Sequence, residues 1–65
     1  MDSQELRKIR ETWGLTQEQL ARELGYSAHT ISEYERARKK IPKSLERHIL
    51  ALKLQREIKN LSNSP

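Results

Sequence analysis

Apolar residues along this chain recur at helical spacing and never in strict alternation. Leu6, Ile9 and Trp13 share one stripe, and Leu20, Ala21 and Leu24 a second. Ile31 and Tyr34 mark a third, and Leu45, Ile49 and Leu52 a fourth. Polar punctuation separates them. Asp2 and Glu5 have the spacing of an acidic capping pair, with Met1 and Leu6 at staple positions. A first helix is therefore expected from about Ser3 to Trp13, ended by Gly14. Thr16 and Gln19 have capping-box spacing, and Leu15 and Leu20 stand as a hydrophobic staple around them. That second helix stops at Gly25, and Ser27 caps a third from about Ala28 to Ala37. Pro42 suits the first turn of a further helical segment. Residues 43–60 contain neither glycine nor proline, which fits one long helix or two abutting ones. No strand pattern occurs, so the chain is read as all-α: a single helical domain over residues 1–61 and a frayed tail over residues 62–65.

The stretch from Thr16 to Arg36 carries the functional inference. Its two short helices meet through a tight turn, and its apolar residues fall only where crossed helices would touch. Ala21 is small where the second helix must cross closely. This is the layout of a helix-turn-helix, in which the second helix enters the DNA major groove. At about 100° per residue, Ile31, Tyr34 and Glu35 face inward on that second helix. His29, Ser32, Glu33 and Arg36 face outward, with Thr30 on the flank and Ala28 at the N-terminal end. A short polar face of mixed donors and acceptors is what base reading requires, so Ala28, His29, Thr30, Ser32 and Glu33 are the expected base contacts. Gln17 opens the first helix of the pair, where its amide and the unpartnered N–H groups can hold a phosphate. Ser27 and Arg36, at the two ends of the reading helix, join it, and so do Arg38, Lys39, Lys40 and Lys43 just beyond. Arg10 follows core residue Ile9, and Glu35 follows core residue Tyr34. Both lie at the edge of an apolar stripe, placed to pair and tie the first helix to the third.

Composition narrows the partner. The chain has 65 residues and a formal net charge of +4, which gives one small basic domain suited to nucleic acid first and an anionic membrane surface second. It has no cysteine, which removes disulfides and thiolate metal sites and fits a reducing compartment. No apolar run approaches the roughly 20 residues of a membrane span, and Met-Asp-Ser-Gln-Glu is no signal peptide. A cytoplasmic, nucleoid-associated protein is expected. His29 and His48 lie far apart, so no metal is expected. Glu33 and Glu35 point to different faces, and no Gly-rich phosphate loop, nucleophile elbow or His-Glu-x-x-His helix occurs. Neither an enzymatic activity nor a cofactor is expected.

A second stripe on the last segment, Leu50, Leu54, Ile58 and Leu61, lies opposite Leu45, Ile49 and Leu52. One straight helix cannot bury both against one small domain. Either the segment breaks near Leu52 to Leu54 and folds back, or the second stripe meets another subunit; self-association as a homodimer is the expectation.

With these residues placed, the chain resembles the lambdoid phage repressor and Cro-like helix-turn-helix family, also called the XRE family. The resemblance runs from about Leu6 to Pro42. It rests on Gly14-Leu15-Thr16-Gln17, Leu20-Ala21, Leu24-Gly25, Ser27, Thr30-Ile31 and Tyr34-Glu35-Arg36. It implies a compact bundle of four or five helices that binds an operator as a dimer, with Gln17 and residues 28, 29, 30, 32 and 33 facing DNA. It also implies an Arg10–Glu35 ion pair. The family often has glycine just after the third helix, where this chain has Ala37, so a longer or helical turn is expected there. The family's distinct fifth helix has no counterpart break between Leu52 and Lys59. The expected function is that of a sequence-specific double-stranded DNA-binding transcriptional regulator, a repressor on a two-half-site operator. The alternative is an antitoxin-like subunit that neutralises a protein partner and autoregulates its operon.

Overall fold

Side chains supply the hydrogen bonds missing at the start of each of the first three helices. The computed structural model describes residues 1–62, and side chains through residue 58. Four helices follow one another: α1 (Ser3–Thr12), α2 (Gln17–Leu24), α3 (Ala28–Glu35) and α4 (Lys43–Ser62). Asp2 caps α1 by accepting from the Glu5 N–H at 2.7 Å. Thr16 and Gln19 form the full capping box of α2: the Gln19 N–H donates to Thr16 Oγ1 at 3.1 Å, and the Thr16 N–H to Gln19 Oε1 at 2.9 Å. Ser27 caps α3 through the Thr30 N–H.

The ends of these helices share a device, a residue in the left-handed region that turns the chain back on itself. Gly14 (φ 70°) and Gly25 (φ 75°) serve α1 and α2, where glycine avoids the steric penalty. Ala37 serves α3 with φ 60°. Its N–H donates to the Tyr34 carbonyl at 3.1 Å and the Arg38 N–H to the Glu33 carbonyl at 2.9 Å, the paired bonds of a Schellman motif. The sequence placed Ala37 inside α3 and a longer or helical turn beyond it. Instead α3 stops at Glu35 and Ala37 takes the conformation of the missing glycine, because the two closing bonds outweigh its local strain.

Leu6, Leu20, Ala21, Leu24, Ile31, Tyr34, Leu45 and Ile49 form the buried core, with every helix contributing. Met1, Ile9, Trp13, Leu15, Tyr26, Ile41 and Leu52 pack around it. Leu6, Leu20, Ile31, Leu45 and Ile49 are fully buried, and truncating any one to alanine is a loss of about 2–5 kcal/mol, severe for so small a domain. The Pro42 carbonyl accepts from the Glu46 N–H, so the proline stands at the threshold of α4 rather than inside its first turn. The Met1 ammonium donates to the Glu46 carboxylate and joins the start of the chain to α4. That hydrogen bond holds the amine's pKa above its ordinary 8.0.

α4 is a single unbroken helix of 20 residues, about 30 Å long, and it sets the 43 Å long dimension of a body only 21 × 20 Å across. The fold-back break near Leu52 to Leu54 does not occur. Leu45 and Ile49 are buried and Leu52 is half-buried, whereas Leu50, Leu54 and Ile58 are 46%, 57% and 53% exposed. Arg56 fastens the far part of α4 to the body. Its guanidinium lies 4.4 Å from the centre of the Trp13 ring and donates to both carboxylate oxygens of Glu23 at 3.1 Å. Ser62, placed in the tail by sequence, ends the helix; the side chain of Leu61 and the rest of the predicted tail lie outside the described residues.

Candidate nucleic-acid interface

α2 and α3 form the expected two-helix unit. Ala21 is buried where they cross, and its single methyl group lets the backbones approach. The turn between them hinges on Gly25, with the Tyr26 N–H returned to the Ala21 carbonyl at 2.8 Å. Tyr26 follows and meets Tyr34 edge-on, ring centroids 6.4 Å apart. Ile31 and Tyr34 turn into the core, so the opposite side of α3 faces outward. His29 and Arg36 are exposed there, and Ala28, Thr30, Ser32 and Glu33 are half-buried. These are the positions the helical geometry assigned to the outer face.

Arg10 and Glu35 meet as the sequence predicted. Arg10 Nε donates to Glu35 Oε2 at 2.6 Å and Nη2 to Oε1 at 3.1 Å, a bidentate pair whose side chains are 13% and 2% exposed. Arg10 Nη1 also donates to the Leu15 carbonyl at 2.8 Å, which ties the α1–α2 turn into the same knot. The hydrogen bond to Glu35 raises the pKa of Arg10 further despite its partial desolvation. Sequence reasoning missed a third member. Gln17 Nε2 donates to Glu35 Oε1 at 3.0 Å, so the first residue of α2 is held to the last of α3. An amide carries two N–H groups and this contact uses one.

The helix ends and the segment after α3 complete the surface. Ser27 Oγ and Thr30 Oγ1 share a hydrogen bond of 2.9 Å in addition to the cap. Arg36, Arg38, Lys39, Lys40 and Lys43 are exposed, and residues 36–43 contain five cations and no carboxylate. The Schellman turn at Ala37 brings this basic run back beside α3, with Arg38 Nε 4.0 Å from Glu33 Oε2. On the other flank His29 Nε2 lies 3.3 Å from Glu33 Oε1. The Glu23–Arg56–Trp13 contact was also missed, although Arg56 continues the Leu45, Ile49, Leu52 stripe at helical spacing. Among the described residues no cluster of histidine and carboxylate side chains is arranged to hold a metal ion, and no helix is long and apolar enough to cross a membrane.

No curated protein and no solved structure matches this chain. A family model described as a helix-turn-helix domain matches residues 3–57, which takes in α1, α2, α3 and α4 as far as Glu57. By that match, and by the capped and crossed α2–α3 unit, the chain belongs to the helix-turn-helix domain family.

Proposed function

We propose that the protein is a sequence-specific double-stranded DNA-binding transcriptional regulator of the repressor and Cro-like type. The observation that carries this is the outward polar face of α3 lying beside a segment over residues 36–43 that has five cations and no carboxylate. A groove-reading helix needs both parts, side chains for base edges and cations for the flanking phosphates. In this reading Ala28, His29, Thr30, Ser32 and Glu33 face the bases. Arg36, Arg38, Lys39, Lys40 and Lys43 hold the backbone, with Ser27 and the second N–H of Gln17 at the helix N-termini. The Arg10–Glu35 pair fixes how α3 is presented, so it acts on DNA through geometry rather than contact, while Gln17 joins that pair with one N–H and offers the other to a phosphate. Binding without catalysis, and repression by occupying a promoter, follow from the same reading.

The regulator works as a homodimer. Support comes from the exposed Leu50, Leu54 and Ile58, a contiguous apolar stripe of the kind that marks interfaces. Leu50 also lines a groove with Ile9 and Trp13, so the apolar surface extends onto α1. A two-fold dimer would bury one such surface against its copy and present two α3 helices to half-sites about one DNA turn apart.

Selection of bound duplexes from a random pool tests the proposal. The expected result is a recurrent half-site, with affinity that falls steeply as salt rises because phosphate contacts release counterions. Equal affinity for the best selected duplex and for random DNA at matched salt would reject it.

A further inference from the structure

Glu33 is the one carboxylate on the outer face of α3, and it is not loose. Its side chain is 20% exposed, against 82% for His29, and a nitrogen-bearing side chain stands on each side of it. His29, one helical turn earlier, reaches Oε1 at 3.3 Å, and Arg38 faces Oε2 at 4.0 Å. Arg38 is there because the left-handed turn at Ala37 folds the chain back until its N–H meets the Glu33 carbonyl at 2.9 Å. Each carboxylate oxygen therefore has a nitrogen-bearing side chain near it, from opposite directions along the helix, and neither oxygen is committed to a hydrogen bond at these distances.

An unaccompanied carboxylate approaching DNA is repelled by the phosphates. One with an arginine cation 4.0 Å away and an imidazole on its other side has part of its charge offset and less room to turn. A carboxylate only accepts hydrogen bonds. In the major groove guanine shows it two acceptors and thymine one, all repulsive. Adenine shows a donor with an acceptor beside it, and cytosine shows the N4 amino group alone. We propose that Glu33 is a specificity-determining residue that selects cytosine, with His29 and Arg38 as the residues that position its carboxylate. The inference rests on the reading of α3 as the groove-facing helix and adds to it which base one named side chain chooses.

Duplex selection with the full chain and with Glu33→Gln provides the first test. Wild type should give a motif with one strongly preferred cytosine in each half-site. A glutamine amide matches adenine N6 and N7, so Glu33→Gln should move that one position from cytosine toward adenine. The change in preference ratio should be about tenfold or more, with the other positions unaltered. Arg38→Met should weaken binding to all duplexes through its lost phosphate contact and, in addition, lower the cytosine enrichment at that same position. A second test needs no variant: replacing the selected cytosine by an analogue that lacks the 4-amino group should weaken wild-type binding about tenfold. A wild-type motif whose cytosines all survive in folded Glu33→Gln, or undiminished binding to the analogue duplex, overturns the assignment and leaves the regulator reading standing. A wild type that selects no motif removes both together.

Discussion

An alanine in the left-handed region carries a steric penalty of about 1–2 kcal/mol, and Ala37 sits there at φ 60° to close α3. Glycine at this position keeps both closing bonds and removes the penalty, although it adds freedom to the unfolded chain. Ala37→Gly should therefore stabilise the protein by roughly 0.5–1 kcal/mol, seen as a higher urea midpoint at unchanged slope; a lower midpoint would show the turn to be unstrained. Arg10 and Glu35 behave in the opposite way. Removing Arg10 leaves a carboxylate that is 2% exposed with only the Gln17 amide for support. Arg10→Ala should cost about 3 kcal/mol or more, and adding Glu35→Ala should cost less than the sum of the single changes. Additive unfolding free energies would refute the coupling. The pair was legible in the sequence because each residue directly follows a core position on its own helix. Gln17's place on Glu35 was not legible, since it depends on how α2 and α3 cross and no local spacing encodes that angle. The strain at Ala37 was equally hidden, because alanine announces no turn.

Among elements, α4 departs most from what its sequence allowed. A long segment without glycine or proline fits one helix or two, and apolar residues on both sides do not decide between them. Arg56 helps to decide it by holding an unbroken helix against Trp13 and Glu23. Its position on the inner stripe was visible; its partners, 33 residues away in the case of Glu23, were not. The paired contact is partly exposed, so about 1 kcal/mol in total is a reasonable contribution from the ion pair and the ring together. Arg56→Met should lower stability by that amount. Trp13 is the only tryptophan, so the same substitution should also change the fluorescence of the native state. Native emission identical to wild type would place Arg56 away from the ring in solution. The three short helices behaved otherwise: their caps, staples and two glycine stops are local rules, and the helix boundaries follow them to within two residues.

At the scale of the molecule, the all-α fold could be read in advance because every element carried its own start signal and its own apolar face. The operator could not. Ala28, His29, Thr30, Ser32 and Glu33 form the polar outer surface of α3, and the contacts they make within the chain, Ser27 to Thr30 and His29 to Glu33, carry no information about a base sequence. The dimer proposal belongs to this scale. Leu54 is 57% exposed and takes no part in the core. Leu54→Glu should leave helical content intact by circular dichroism and yield a monomer by sedimentation equilibrium, with sharply reduced operator affinity. A folded Leu54→Glu protein that still dimerises at the wild-type concentration would place the interface elsewhere.

The unbroken α4 also implies a gradient of protection along one helix. Its first half contributes Leu45 and Ile49 to the core, so amides there can exchange with solvent only when the whole domain opens. Past Leu52 no described residue enters the buried core and Leu54 is 57% exposed, so those amides can exchange by local fraying at a much smaller free energy. In an isolated subunit, native-state hydrogen exchange should therefore divide α4 into a slow half and a fast half near Lys53. Any partner that covers Leu50 and Leu54 should erase the step, and it would then appear in the exchange data as a lengthening of the slow half.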